Sequence, residues 1–170
     1  DGSEDSLNVN KELEAYFNEH LSEKYGGIKI KVEYSTYPTN EDMYAKITNS
    51  AVSYDIVIPS DYMIERMIKE DMLLKYDVTQ LENFKYLSKD YIGRFFDPTN
   101  SYSVPYTYGK VGVIYNTTMV DEEDVKDMSW GLMWNEKYSG KILQFNNPRD
   151  GLATAMYYQG LDINSTNKSD

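Results

Sequence analysis

Residues 28–34 read Ile-Lys-Ile-Lys-Val-Glu-Tyr, with apolar side chains at Ile28, Ile30, Val32 and Tyr34 and charged ones at Lys29, Lys31 and Glu33. A period of two fits a strand with one solvated face and no helix. On either side the period changes. Leu13, Tyr16, Phe17, Leu21 and Tyr25 share one helical stripe, and Gly26-Gly27 stops it. Thr39-Asn40-Glu41-Asp42 has the form of a capping box that opens a helix through Met43 and Ile47. Asp55 to Ile58 then reads as a short buried strand, and Ile64, Met67, Ile68 and Met72 mark another helix. Helices and strands in alternation predict the α/β class, a mostly parallel sheet covered by helices.

The rest of the chain continues the pattern less regularly. Residues 76–101 are less regular, and the turn-rich stretch FFDPTNSYS, residues 95–103, is expected as a surface loop. KVGVIYN at 110–116 and KILQF at 141–145 read as strands. Ser129 to Trp134 is expected as a short helical turn that holds both tryptophans. NNPRD opens a helix running to about Gln159, with Gly160 as its cap. The start, Asp1 to Asp5, is polar and reads as a tail or processed end, and the end, DINSTNKSD, is polar and expected to be frayed. No internal repeat or low-complexity tract interrupts the chain.

Composition narrows the chemistry. With 170 residues the chain is long enough to bury a core without staples, and it has no cysteine. Disulfides, thiolate metal sites and cysteine nucleophiles are therefore excluded. No apolar run approaches the roughly 20 residues of a membrane-spanning helix. A net charge of −11 repels phosphate backbones and argues against a nucleic-acid partner. The same charge serves solubility and suits a cationic ligand. Seventeen tyrosines supply flat apolar faces with polar tips, the kind of wall found in ligand pockets and interfaces.

Two strand-to-helix corners concentrate polar residues. YDIVIPSDYMIERM, residues 54–67, ends a strand and begins a helix at Pro59-Ser60-Asp61-Tyr62. Ligands of open α/β sheets sit beyond the carboxyl ends of the strands, where this corner falls. Ser60 or Asp61 caps the helix in one reading; in the other, Ser60 and Tyr62 also face a cleft. QFNNPRDG repeats the arrangement, with Asn147 as cap, Pro148 at the first helical position and Asp150 three residues after the cap. Asp150 complements the helix dipole, or pairs with a cationic ligand at a cleft.

EYSTYPTNEDMYAKI, YDIVIPSDYMIERM, FDPTNSYSVPYTYGKVGVIYN and SWGLMWNEKYSGKIL, in this order, resemble the spermidine/putrescine-binding proteins of bacterial ABC importers over about residues 28 to 160. The resemblance implies a two-lobed periplasmic-binding-protein type II fold with the ligand held between lobes. The chain would supply most of lobe one, residues 1–107, then a crossing strand and the start of lobe two, residues 108–170. It implies an extracytoplasmic solute-binding component that delivers a polyamine to a membrane permease. Ser60 and Tyr62 match residues lining the family's cleft, Asp61 lies between them, and Asp150 matches an acidic residue that contacts an amine. Asn147 falls where relatives can carry an aspartate. Two departures stand out: an Asn-Trp-x-x-Tyr-like stretch is absent near the start, and family chains are about twice as long. An incomplete lobe exposes apolar surface, so self-association is expected of this chain.

Asp61 and Asp150 are the only carboxylate pair to nominate for a hydrolase, and neither a G-x-S-x-G elbow nor a P-loop is present. His20, the one histidine, is expected on a solvated helix face. DINSTN lacks the sixth-position glycine and twelfth-position glutamate of a calcium loop. No enzyme activity, metal or cofactor is expected. A receptor of the same fold for a sugar or another amine is the nearest alternative. Asn116-Thr117-Thr118 and Asn164-Ser165-Thr166 match the glycosylation sequon and are read as chance.

Overall fold

The structure, a computed structural model, describes residues 4–49 and 52–165. The chain forms two compact units that divide between Pro105 and Tyr106. The expected fraying of the tail at 166–170 lies outside the described residues, and the polar start is helical from Glu4.

In the first unit, α1 (Glu4–Tyr16) passes into a wider π turn at Phe17–Leu21 and a tight turn at Glu23–Tyr25. Gly26 ends the run in the left-handed conformation at φ 75°, which a side chain would resist. The change of pitch stacks Phe17 on Tyr25, with ring centroids 5.7 Å apart. His20 is exposed on this turn, as expected.

α2 (Asn40–Asn49) opens with the Thr39 side-chain half of the box read from sequence. Asp42 N donates to Thr39 Oγ1 at 3.1 Å, and Thr39 Oγ1 donates to the Asp42 carboxylate at 2.6 Å. α3 (Asp61–Lys69) packs against it through Met43, Met63 and Met67, the buried core of this unit. Tyr37, Tyr44, Ile47, Val57, Tyr62, Met72 and Leu73 surround these three. At the surface, Arg66 lies 3.8 Å from the centre of the Tyr44 ring, and both side chains bind Glu70. The hydrogen bonds from Tyr44 and then Arg66 hold the Glu70 carboxyl below its usual range.

The loop FFDPTNSYS is built around two buried polar residues, which its turn-rich composition did not indicate. Asp97 accepts bonds from Ser101 N, Tyr102 N, Ser103 N and Ser103 Oγ at 2.8–3.0 Å. Asn100, left-handed at φ 51°, accepts from Gly93 N and donates to the Ser103 carbonyl.

In the second unit, α4 (Pro148–Gln159) has the ends that the sequence predicts. Asn147 Oδ1 accepts from Arg149 N at 2.9 Å and Asp150 N at 3.4 Å, Pro148 begins the helix, and Gly160 closes it at φ 72°. Such a cap contributes about 1 kcal/mol. A short turn at Trp130–Trp134 lies beside α4 and stacks Trp130 on Tyr157 and Trp134 on Tyr158. Tyr138, the buried aromatic of this unit, donates to Asp124 at 2.6 Å and accepts from Asp121 N. Lys137 bridges Asp121 and Asp124, and its hydrogen bond is the main cause of the lowered Asp124 pKa.

The expected strands do not form ladders: among the described residues no strand is paired with another. At 28–34 the backbone is served by side chains of the preceding helical run instead. Asn18 donates to the Ile30 carbonyl at 2.8 Å and accepts from Ile30 N at 2.7 Å, and Glu14 accepts from Val32 N at 2.7 Å. In 110–116 and 141–145 the side chains meant for a core face solvent, with Ile114 97% and Leu143 95% exposed. Alternation is a local property of a sequence, whereas a ladder needs a neighbour at the right register.

Candidate ligand-binding site

The corner at Ser60 carries out its capping differently from the expectation for Ser60. Ser60 is the N-cap of α3 by backbone position, but its hydroxyl accepts no helix N–H. Asp61 Oδ1 takes the Tyr62 N–H at 2.8 Å, so the capping half of the reading belongs to Asp61. Ser60 Oγ instead accepts from Asn40 Nδ2 at 2.9 Å. The Tyr62 ring packs on the methionine core, and its hydroxyl accepts from Asn40 and donates to Glu41 Oε1 at 3.0 Å. Tyr37 also donates to the Ile58 carbonyl, tying the corner to the segment before α2. Burial of this phenol raises its pKa. The sequence pattern predicts a capping-box role alone for Asn40 and Glu41; nothing local in it places them against residues 58–62.

The second cluster lies in the other unit. Asp150, half-buried in the first turn of α4, borders a cavity of about 410 Å³ lined also by Gly109, Val111, Trp130, Thr154 and Tyr157. Trp130 and Tyr157 lie nearly parallel, at 7° with centroids 5.5 Å apart. Among the described residues, the hydrogen bonds at Asp150 engage its backbone N–H, and no donor reaches its carboxylate. Asn147 turns its carboxamide to the helix end, so its oxygen is committed to capping. Ser60, Asp61 and Tyr62 thus form one cluster with Asn40 and Glu41. Asn147 and Asp150 belong to another, with an aromatic wall of Trp130 and Tyr157 that the sequence reading did not assign.

A carboxylate beside stacked aromatic faces is suited to a cation with an apolar stem, through charge, cation–π and dispersion contact. Two hydroxyls and a carboxylate at the Ser60 corner are suited to hydrogen-bond donors.

The model of the family described as bacterial extracellular solute-binding protein matches residues 15–170. The spermidine/putrescine-binding periplasmic protein of Escherichia coli (strain K12) is 40% identical over 138 residues, covering 81% of this chain and 39% of that protein. The putrescine/cadaverine-binding protein of Pseudomonas aeruginosa is 30% identical over 134 residues, 76% of this chain and 38% of that protein. Among solved structures, a spermidine/putrescine ABC transporter substrate-binding protein from Streptococcus pneumoniae is 35% identical with a TM-score of 0.70, over 94% of this chain and 46% of that one. The chain therefore spans less than half the length of these relatives, and 94% of it superposes on the Streptococcus pneumoniae structure. The chain belongs to the bacterial extracellular solute-binding proteins.

Proposed function

We propose that this chain is part of an extracytoplasmic polyamine receptor that delivers spermidine or putrescine to the permease of an ABC importer. The observation that carries the reading is the half-buried Asp150 carboxylate, without a described partner, in a cavity walled by Trp130 and Tyr157. The names of the relatives supply the ligand class. In this reading residues 1–107 form most of lobe one and residues 108–170 begin lobe two. Segments 28–34, 55–58, 110–116 and 141–145 are strands of α/β sheets that gain ladder partners in the longer receptor. Ser60 and Tyr62 act from the first lobe, Asp150 from the second, with Asp61 and Asn147 supporting them as caps. The role is binding and delivery, with no catalytic step.

Trp130 gives the test its signal. Spermidine titrated into the chain is expected to change tryptophan emission, and Asp150→Asn to weaken that binding by about 1–3 kcal/mol, the loss of a charge-assisted hydrogen bond. An Asp150→Asn chain with wild-type affinity would remove Asp150 from the site. A response to a neutral sugar with none to spermidine or putrescine would replace the polyamine with another ligand.

The apolar side chains left exposed on 110–116 and 141–145 also support self-association of the isolated chain. Sedimentation velocity across a hundredfold range of protein concentration is expected to show a rising mean coefficient. A constant monomer value throughout would overturn this part of the proposal.

A further inference from the structure

One face of α4 lines the cavity of the second unit. Asp150, Ala153, Thr154 and Tyr157 follow one another at spacings of three, four and seven residues from Asp150, which brings them to the same side of a helix. Tyr158 lies about 100° further round the helix, and neither it nor Trp134 borders the cavity. Both tyrosines nevertheless meet the same short turn. Trp130 lies on Tyr157 with centroids 5.5 Å apart at 7°, and Trp134 lies on Tyr158 with centroids 4.5 Å apart at 3°. The second pair overlaps more fully. Parallel rings with centroids 5.5 Å apart are offset, so Trp130 and Tyr157 each keep part of a face uncovered. The turn is tight at Gly131, where a Cβ would lie 3.0 Å from Ser129 Oγ and 3.6 Å from the Tyr158 ring. Ser129 starts the turn by accepting the Gly131 N–H at 3.2 Å.

We infer that Trp134 and Tyr158 are positioning residues of this cavity: their stack, outside it, holds Trp130 and Tyr157 in the offset arrangement that leaves aromatic face open to the stem of a ligand whose ammonium group sits at Asp150. The inference rests on the polyamine reading and adds to it the means by which the aromatic wall is set. A single stacked pair is a loose joint. Parallel rings slide over one another at little cost, because the attraction is spread over their faces. A second pair removes that freedom. Its anchors are one residue apart on α4 and four apart on the turn, so a rotation about either pair breaks the other. The Asn147 cap fixes the start of the same helix, so carboxylate and wall share one frame. A cation with an apolar stem gains at both ends of this face, through charge at Asp150 and through dispersion and cation–π contact at the rings. A stack that served packing alone would stabilise the unit and treat all bound cations alike.

The test titrates the 170-residue chain at fixed ionic strength, followed by ¹H–¹⁵N spectra, with one cation that has a stem and one that has none. Spermidine is the first. Methylammonium is the second: it can meet the Asp150 carboxylate but is too short to cover the rings. Tyr158→Leu keeps apolar bulk and removes the stack. It is expected to raise the apparent Kd for spermidine at the Asp150 amide and the Trp130 indole by about threefold, the worth of an exposed cation–π contact. Methylammonium is expected to keep its wild-type affinity, and the nuclear Overhauser contacts between the Trp130 and Tyr157 rings are expected to weaken. Tyr158→Phe keeps the ring and is expected to match the wild type in all three. Gly131→Val wedges the stack apart with every ring present and is expected to show the same selective loss; it decides alone if Tyr158→Leu does not fold. Wild-type spermidine affinity in these two stack-breaking variants overturns the inference and leaves the polyamine reading standing. An equal loss for both cations, or a loss with the Trp130–Tyr157 contacts intact, also overturns it, because the stack then does not act through the wall. A wild-type chain in which neither Asp150 nor Trp130 responds to spermidine overturns the polyamine reading, and this inference with it.

Discussion

A Met63→Ala chain is expected to lose about 2–5 kcal/mol of unfolding free energy, the range for deleting a long apolar side chain from a packed site. Met63 is 1% exposed and Met67 2%, and with Met43 they are the buried hydrophobic residues among the described residues of the first unit. A cluster this small has few neighbours to collapse inward, so truncation leaves much of its volume empty. Both helices that meet there bear on the Ser60 corner, because Asn40 begins α2 and Asp61 begins α3. The Tyr62 ring rests on the same methionines. Urea unfolding followed by far-ultraviolet circular dichroism checks the magnitude, and amide exchange in α2 and α3 locates it. Met63→Leu, close in volume, is expected to cost less than about 1.5 kcal/mol. An alanine variant that unfolds within 1 kcal/mol of the wild type would mean that Met63 is not part of a packed core.

The sequence was most informative where structure depends on near neighbours. The box at Thr39 and Asp42, the Asn147 cap, Pro148 and the Gly160 stop all act within one turn of chain, and each stands where the pattern put it. The turn holding both tryptophans was equally legible. The spacing of Ile64, Met67, Ile68 and Met72 predicts the helix after Ile58 but passes over Met63, the most buried of the described residues. The stripe is broad, and only packing against Met43 decides which edge of it turns inward. Alternation at 28–34 marked a segment with two faces; it could not show that Asn18 and Glu14 would take the place of a neighbouring strand. The candidate site followed the same division. Ser60, Tyr62 and Asp150 stand at helix starts, which is a local signal, whereas their assignment to a ligand comes from the family resemblance. Asn40 against Ser60, Glu41 against Tyr62 and Trp130 against Tyr157 are pairings between distant segments, and no spacing announces them.

The second large effect is expected at Asp97, whose loop was read only as a turn. Asp97→Ala removes one carboxylate that serves three backbone N–H groups and the Ser103 hydroxyl. Each orphaned donor costs about 1–3 kcal/mol if buried, and less where water can replace the lost partner. These bonds are part-buried, so a total loss of about 3 kcal/mol is expected. Asp97→Asn is expected to fall between the wild type and Asp97→Ala. Its oxygen can replace Oδ2 toward Tyr102 and Ser103, but its NH₂ then opposes the Ser101 N–H, donor against donor. Tyr76 reports on the same change. Its backbone N–H donates to the Ser101 carbonyl, and its buried hydroxyl has no partner among the described residues. Burial raises the Tyr76 pKa first, and the Asp97 charge raises it further. A raised folded pKa favours folding fully below the unfolded value of about 10, and that contribution is lost as pH climbs through the folded value. Asp97→Asn removes the charge and keeps the burial, so the Tyr76 phenol should titrate lower than in the wild type yet above its ordinary value. The decline of stability at alkaline pH should narrow with it. Ultraviolet titration of tyrosinate and urea midpoints across this range measure both. An Asp97→Asn chain with unchanged stability and unchanged tyrosine titration would show that Asp97 organises neither the loop nor Tyr76.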